Sequence, residues 1–526
     1  MKLLNNEGPW SPLKNKVFLV LWLATLFSNI GTWMQNAGAG WLMISLNPDP
    51  FVVSLVQVAT VFPMFIFALP AGSLADIFDR RKILLIVQII LTVLMSILGL
   101  LVSLHYITPF WLLLFTFFSG MGAAIIVPSW QAIVPQLIPK SDLAKAITLN
   151  GISMNISRAI GPALTGLVIA FMGLSAPFWL NAISNLGIIW ALIWWKPENN
   201  LQSKLPAERF MSSMKMGIRH VSANMRLKAT IVKSATFFLF SSTYWALLPL
   251  IASEQIKGGP TFYGMMLGMI GVGAIAGTFL LPALRKRFNA DQLVVIGSIG
   301  TSFALVLFGL AKHPTLGILA SLIAGLSWIM ALPTFSVIAQ FSLPNWVKGR
   351  GMALYTTIIF GAMALGSAFW GQLAKYIGIS WTHYFSAVGM LISLVLIKRW
   401  KLHRDNDIDL TPSNHWRNPE ISFEVENNEG PVLITIQYFV LNECRGQFLQ
   451  DLKVLSRQRI RTGAYKWHIF EDLEKENVFL EIFLVETWLE HLRQHERIIR
   501  HDLILKERIN TYLSQKPVLV THYIAR

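Results

Sequence analysis

Long apolar runs, broken by short polar or charged stretches, recur along the chain from Lys16 to Trp400. Each run has the length that crosses a bilayer, about 20 residues. The pattern predicts twelve spanning helices near 17–44, 51–74, 83–104, 109–131, 144–172, 175–195, 230–252, 262–284, 292–311, 314–340, 351–373 and 381–398. Several exceed the minimum, which predicts tilt or extension beyond the bilayer. After Trp400 the pattern changes. Residues 402–430 are polar and read as a linker. A strand follows at 432–440, then a helix from Asn442 with apolar Phe448, Leu452 and Leu455, stopped by Gly463. Strands at 465–473 and 477–487 share a tight turn, helical pattern covers 488–513, and residues 517–525 make a last strand. The order β-α-β-β-α-β is ferredoxin-like.

The apolar part is duplicated. At one constant shift of 205 residues, Gly72 falls on Gly277 and Arg80-Arg81-Lys82 on Arg285-Lys286-Arg287. Pro128 falls on Pro333, Pro139 on Pro344, Lys145 on Arg350, Gly161 on Gly366 and Gly166 on Gly371. Span periodicity does not dictate residue identity, so one offset serving glycines, prolines and cations argues for a repeat. Since the offset spans six helices, both copies have the same orientation, and a site is expected between them near the midplane. The expected organisation is a six-helix half at 1–196, a cytoplasmic connector at 197–229 with an amphipathic helix around Phe210 to His220, a second half at 230–400, a linker at 401–430 and a cytoplasmic α+β domain at 431–526.

Composition agrees: 54% of the 526 residues are hydrophobic and 14% charged, too little charge for a soluble protein of this size. The net charge of +16 does not point to nucleic acid. Residues 1–401 hold 28 Lys/Arg against 9 Asp/Glu, whereas residues 402–526 hold 16 against 19. The excess sits in alternate connections: Lys2, Lys14 and Lys16; Arg80 to Lys82; Lys140 and Lys145; the stretch 196–233; Arg285 to Arg287; Lys348 and Arg350; and Lys398, Arg399 and Lys401. The other connections carry only Lys257, Lys312 and Lys375. Positive loops stay in the cytoplasm, so both termini are expected there, and the first helix is expected to be retained rather than cleaved. The single cysteine, Cys444, excludes an intrachain disulfide and a multi-cysteine zinc site.

Candidate chemistry is sparse. Arg158 is placed within one to two turns of the cytoplasmic end of span 5, where an ionisable side chain is costly and usually faces a cavity. It can contact an anionic substrate, snorkel, or pair with Asp142 or Asp76; the pairing or snorkelling reading is preferred. Asn29, Gln35, Asn36, Asn155 and Asn181 can line a polar cavity or bond helices together. Trp33, Trp41, Trp130 and Trp179 serve as interface anchors or stacking surfaces, the anchor being preferred. Gly161, Pro162 and Gly166 thin and bend span 5 for packing. His491 and His495 share a helix face, but the Leu492-Arg493-Gln494 between them lacks the glutamate of a zinc protease, so a solvated or interface helix is expected. No metal and no cofactor is expected.

The stretch AGSLADIFDRRKILL (71–85) resembles the loop after span 2 of the major facilitator superfamily, G-x-L-x-D-x-x-G-R-R/K. Gly72, Leu74, Asp76, Arg80 and Arg81 match; Asp79 stands where that family has glycine. The resemblance implies a conformational latch. Gly72 would permit close helix approach, and Asp76 would accept from the helix N-terminus opened by Gly349 and Arg350. Arg80 and Arg81 would hold the loop at the cytoplasmic face. The second copy has Leu281 at the position of Asp76, so the latch is asymmetric. The stretch NISRAIGPALTG (155–166) is similar to the Gly-Pro motif of exporters in that superfamily, with Ser157 and Thr165 replacing glycines. FWLNAISN (178–185) and LPNWVKGRGMALY (343–355) resemble the branch that includes the enterobactin exporter. The tail resembles dimeric α+β barrels related to antibiotic-biosynthesis monooxygenases.

These resemblances imply a secondary transporter, not an enzyme. It would export a siderophore, drug or hydrophobic metabolite by alternating access with proton antiport, from the inner membrane of a bacterium. The expected partners are a small-molecule substrate, the lipid bilayer and a second copy joined through the tail, with no nucleic acid. A membrane-tethered enzyme acting through the tail, and an uptake transporter, remain as alternatives.

Overall fold

The structure is a computed structural model that describes residues 8, 10–196, 218–219, 221–222, 224–344, 347–402, 424–498, 500–514 and 516–526. Twelve helices of the described chain are long and apolar enough to span a bilayer. In the first half they are α1 (Lys16–Leu46), α2 (Pro50–Ile77), α3 (Arg80–Ser103), α4 (Pro109–Leu137), α5 (Leu143–Met172) and α6 (Ala176–Trp194). The second half contains α7 (Met225–Leu250), α8 (Pro260–Arg285), α9 (Ala290–Leu310), α10 (Pro314–Phe341), α11 (Lys348–Ile377) and α12 (Ile379–Leu396).

Local chemistry sets the starts. Asn15 caps α1 by accepting from Val17 and Phe18 N–H, and Asp49 caps α2 by accepting from Phe51 and Val52. Asn289 and Gln292 form a reciprocal capping box on α9. Two boundaries lie beyond the expected range. Helix α4 runs to Leu137, with Pro128 and Pro135 inside it, and α7 starts at Met225. Polarity marked where the apolar run ended, whereas a helix continues as long as its backbone groups can be paired.

The repeat is visible in atomic contacts. Thr165 Oγ1 donates to Met34 O at 3.2 Å, and Trp370 Nε1 donates to Leu239 O at 2.9 Å; both members of the second pair are shifted by 205. Asn181 joins Gln35, and Ser386 joins the Phe240 carbonyl at the same shift. The halves also exchange contacts. A Cβ on Gly166 would lie 2.6 Å from Pro260 O at the start of α8, and one on Gly371 would overlap Ser54 near the start of α2.

Contacts divide the chain into two compact units. One comprises Met1–Ala207, Thr230–Val337 and Ala353–His403; the other comprises Glu208–Ala229, Ile338–Met352 and Arg404–Arg526. In the second unit, β1 (Val432–Phe439), α13 (Arg445–Thr462), β2 (Lys466–Glu471), β3 (Val478–Val485), α14 (Trp488–Arg497), α15 (Arg500–Asn510) and β4 (Leu519–Ile524) follow the expected order. The sheet is antiparallel in the order β2-β3-β1-β4, the ferredoxin-like arrangement. Its core holds Ile434, Ile436, Phe448, Leu452, Phe479 and Phe483. Gly463 ends α13 with φ 149°. Arg219 pairs with Glu486 at 3.0 Å and stands over the Tyr465 ring. Of the expected connector helix, residues 210–217 and 220 lie outside the described residues; 218–219 and 221–222 are helical.

Candidate functional site

Arg158 lies at the middle of α5, about four turns from either end, not near its cytoplasmic end. Its guanidinium carbon is 5.4 Å from the centre of the Trp33 ring on α1. One turn on, Gly161 makes this approach achievable: a Cβ there would lie 2.6 Å from Trp33 Cβ and 2.9 Å from Ile30 O. Pro162 follows, and its carbonyl lies 2.9 Å from where a Cβ on Gly264 of α8 would sit. Helix α5 is thus clamped between α1 and α8.

The preferred pairing for Arg158 is not observed. Asp142 accepts from Ser11 Oγ at 2.7 Å and pairs with Lys145 at 3.0 Å. Asp76 lies in the last turn of α2, and its side chain is outside the described residues. Among the described residues Arg158 makes no ion pair and no hydrogen bond, and its Nε is buried.

The amides separate into two groups. Asn181 Nδ2 donates to Gln35 Oε1 at 2.6 Å, and Gln35 Nε2 donates to Ser119 Oγ at 3.2 Å, with Gln35 and Asn181 both buried. These two tie α1, α4 and α6 together. Asn29, Asn36 and Asn155 are half-buried and make no hydrogen bond with a described residue.

An aromatic group supplied by the second half was not anticipated. Tyr244 and Trp245 on α7 have ring centres 5.5 Å apart, and Trp245 meets Trp328 of α10 at 5.6 Å. Phe238 packs edge-on against Trp328 at 5.1 Å. The Trp328 indole nitrogen is buried without a partner. The signal that reveals the aromatic group is a comparison of halves: Tyr244, Trp245 and Trp328 stand at the repeat positions of Ala39, Gly40 and Ala123. Of the tryptophans singled out in the sequence, Trp33 lies beneath Arg158 and Trp41 stacks on Tyr263 at 5.8 Å. Trp179 donates to Ser103 at 3.3 Å, and Trp130 packs beside Ile133 and Val134.

At the end of the bundle away from Arg80–Lys82 the halves touch. Asp49, the cap of α2, pairs with Lys375 of α11 at 2.8 Å. The hydrogen bond from Lys375, helped by backbone donation from Val52 and Phe51, outweighs burial and holds the Asp49 carboxyl below its usual range.

At the other end, Arg80 Nη1 donates to Ala132 O in α4 at 3.1 Å, and Arg81 donates to Leu192 O and Ile193 O in α6 at 2.7 and 3.0 Å. Arg81 therefore caps the C-terminus of α6, where the dipole favours positive charge, while Arg80 ties α3 to α4. Asp79 caps α3 by accepting from Arg81 and Lys82 N–H, which accounts for an aspartate at the superfamily's glycine position. Among the described residues a Cβ on Gly72 would meet nothing within 4 Å. One on its repeat mate Gly277 would lie 3.2 Å from Ile329 Cβ. Gly349 and Arg350 lie in the first turn of α11, and a Cβ on Gly349 likewise meets nothing.

In the tail, the face carrying His491 is core rather than solvated. His491 is fully buried, its ring 4.7 Å from those of His495 and His522 and 5.5 Å from Trp488. Burial, with smaller contributions from the neighbouring imidazoles, pushes His491 down to about 3, so it is neutral. Among the described residues no three His, Cys, Asp or Glu side chains are placed to hold a metal ion. Sequence reading also missed a buried carboxylate. Glu481 accepts from Tyr438 Oη at 2.7 Å, Trp467 Nε1 at 2.8 Å and Arg459 Nε at 3.1 Å, while Arg459 lies over the Phe483 ring.

Twelve spanning helices in two repeat-related halves give the architecture of a secondary transporter. The family model described as "transmembrane secretion effector", within the major facilitator superfamily, matches residues 7–526, and the chain belongs to that family. Its relatives include the staphyloferrin A transporter of Staphylococcus aureus, 23% identical over 392 residues, 73% of this chain and 96% of the relative. Macrolide efflux protein A of Streptococcus pyogenes is 23% identical, covering 75% and 97%, and the enterobactin exporter EntS of Shigella boydii is 23% identical, covering 72% and 90%. Among solved structures, the nucleoside transporter NupG superposes with a TM-score of 0.61 at 12% identity, over 73% of this chain and 99% of that one. That likeness shows the shared fold.

Proposed function

We propose that this protein is a secondary active exporter of a siderophore or a hydrophobic drug, working by alternating access with proton antiport. The observation that carries the reading is the close meeting of half-related helices, α5 with α8 and α2 with α11, with Arg158 carried at the middle of α5. Relatives that transport staphyloferrin A, macrolides and enterobactin support export as the direction. The cation-rich connections support a bacterial inner-membrane location with both termini in the cytoplasm, which makes the Asp49–Lys375 end external. On this reading the external end is closed. Gly72, Asp76, Arg80, Arg81, Gly349 and Arg350 form the latch that engages when the halves rock the other way.

The tail is a noncatalytic dimerisation domain of the monooxygenase-related barrel type. Its outer sheet face supports this, since Phe470, Leu480, Leu519 and Tyr523 are all exposed there. Inverted vesicles with an imposed pH gradient test the function. Accumulation of a macrolide or an iron-free siderophore that collapses with the gradient is expected. Absence of gradient-dependent movement across such a panel overturns the exporter.

A further inference from the structure

We infer that Arg158 is the counter-ion of the transported compound, and that this compound is an organic anion with a planar apolar body. The inference rests on the exporter reading and adds the charge of the cargo. A guanidinium stays protonated, and a charge at the middle of a membrane helix is tolerated where something neutralises it. Structural arginines in membrane helices pair with carboxylates or backbone carbonyls. Arg158 does neither among the described residues: Asp142 is held by Lys145 and Ser11, and Nε of Arg158 is buried with no acceptor.

Trp33 covers one face of the guanidinium and supplies no negative charge. The fold does not require the cation, because the repeat position in the other half is Met363. What the fold does is press the cation into place through Gly161, against the partly exposed Trp33 ring. A fixed cation without a protein anion among the described residues, beside the partly exposed Trp33 ring, matches a carboxylate or phenolate carried on a flat ring system. Bidentate donation from Arg158 fixes the anionic group while the rings stack.

The full-length protein in detergent tests this with three probes of one ring system: 2-naphthoate, 2-naphthamide and 2-naphthylmethylammonium. Calorimetric titration is expected to show 2-naphthoate binding at least tenfold more tightly than the other two. Arg158→Met is expected to abolish that preference while leaving 2-naphthamide affinity unchanged, and Arg158→Lys to keep part of it. Should Arg158→Met fail to yield monodisperse protein, Arg158→Gln takes its place. Equal affinity of wild type for all three probes, or a preference that survives in Arg158→Met, overturns the inference. Transport separates it from the exporter reading. Anion preference in binding without gradient-driven movement of any compound sinks export and leaves the anion site standing. Movement of neutral drugs by a protein without anion preference does the reverse.

Discussion

Arg158, partly buried, and Arg459, buried, both rest on aromatic rings, Trp33 and Phe483 respectively, yet their surroundings differ in kind. Arg459 shares the wholly buried Glu481 with Tyr438 and Trp467, so charge and hydrogen-bonding capacity are satisfied within the domain. Arg158 has no such anion among the described residues. Burial alone therefore says little about what a charge is for. A saturated ion pair specifies a core, whereas a cation held in place without an anion reads as a vacancy for a ligand.

The widest gap between the two should appear on removal. Arg459→Met leaves Glu481 buried without its cation, and the tail should lose about 3–5 kcal/mol. Hydrogen exchange across β1 and β3 in the full chain measures this. The double replacement Arg459→Met with Glu481→Leu should recover most of the loss. Arg158→Met should leave the melting temperature of the membrane part unchanged or raised, since it removes an unpaired, partly buried charge. A strong loss there would mean that Arg158 is structural after all.

A smaller effect tests how Arg158 is held. Gly161→Ala places a methyl against Trp33 Cβ and the Ile30 carbonyl, at an expected cost of about 1–3 kcal/mol and a displaced guanidinium. Gly72→Ala, with open space around it, should leave thermal stability unaltered.

The tail supplies a pH test of burial without charge. His491 stays neutral in the folded tail down to about 3, below the 6.5 of an unperturbed imidazole. The unfolded chain binds more protons in that window, so tail stability should fall as pH drops from about 6.5 towards 3. The slope should approach about 1.4 kcal/mol per pH unit. His491→Phe should flatten it, as read by exchange rates in α14 corrected for intrinsic pH dependence.

The partly exposed Asp49–Lys375 pair lies between the two extremes. Asp49→Asn should shift the balance between conformations by no more than about 1 kcal/mol, detectable as faster labelling of a cysteine placed near Ser54. No change in labelling would remove this pair from the gate.

The twelve spans, the 205-residue repeat and the β-α-β-β-α-β tail were legible because run length, alternation and glycine, proline and cation identities are local properties. The roles of individual polar residues were not. Gln35 and Asn181 looked like cavity amides, but each is the other's partner across 146 residues of chain. Asp79 looked like a departure from a motif and turned out to cap α3. The aromatic wall was hidden because no span reveals which neighbour its ring faces.

Hydropathy and repetition by themselves determined the architecture, because a bilayer admits only closed hydrogen-bonded helices and a duplicated sequence folds twice. Tertiary structure alone decided which charges are answered. Pairing depends on distances between residues remote in sequence, and the distances around Arg158 leave its cation without a protein anion.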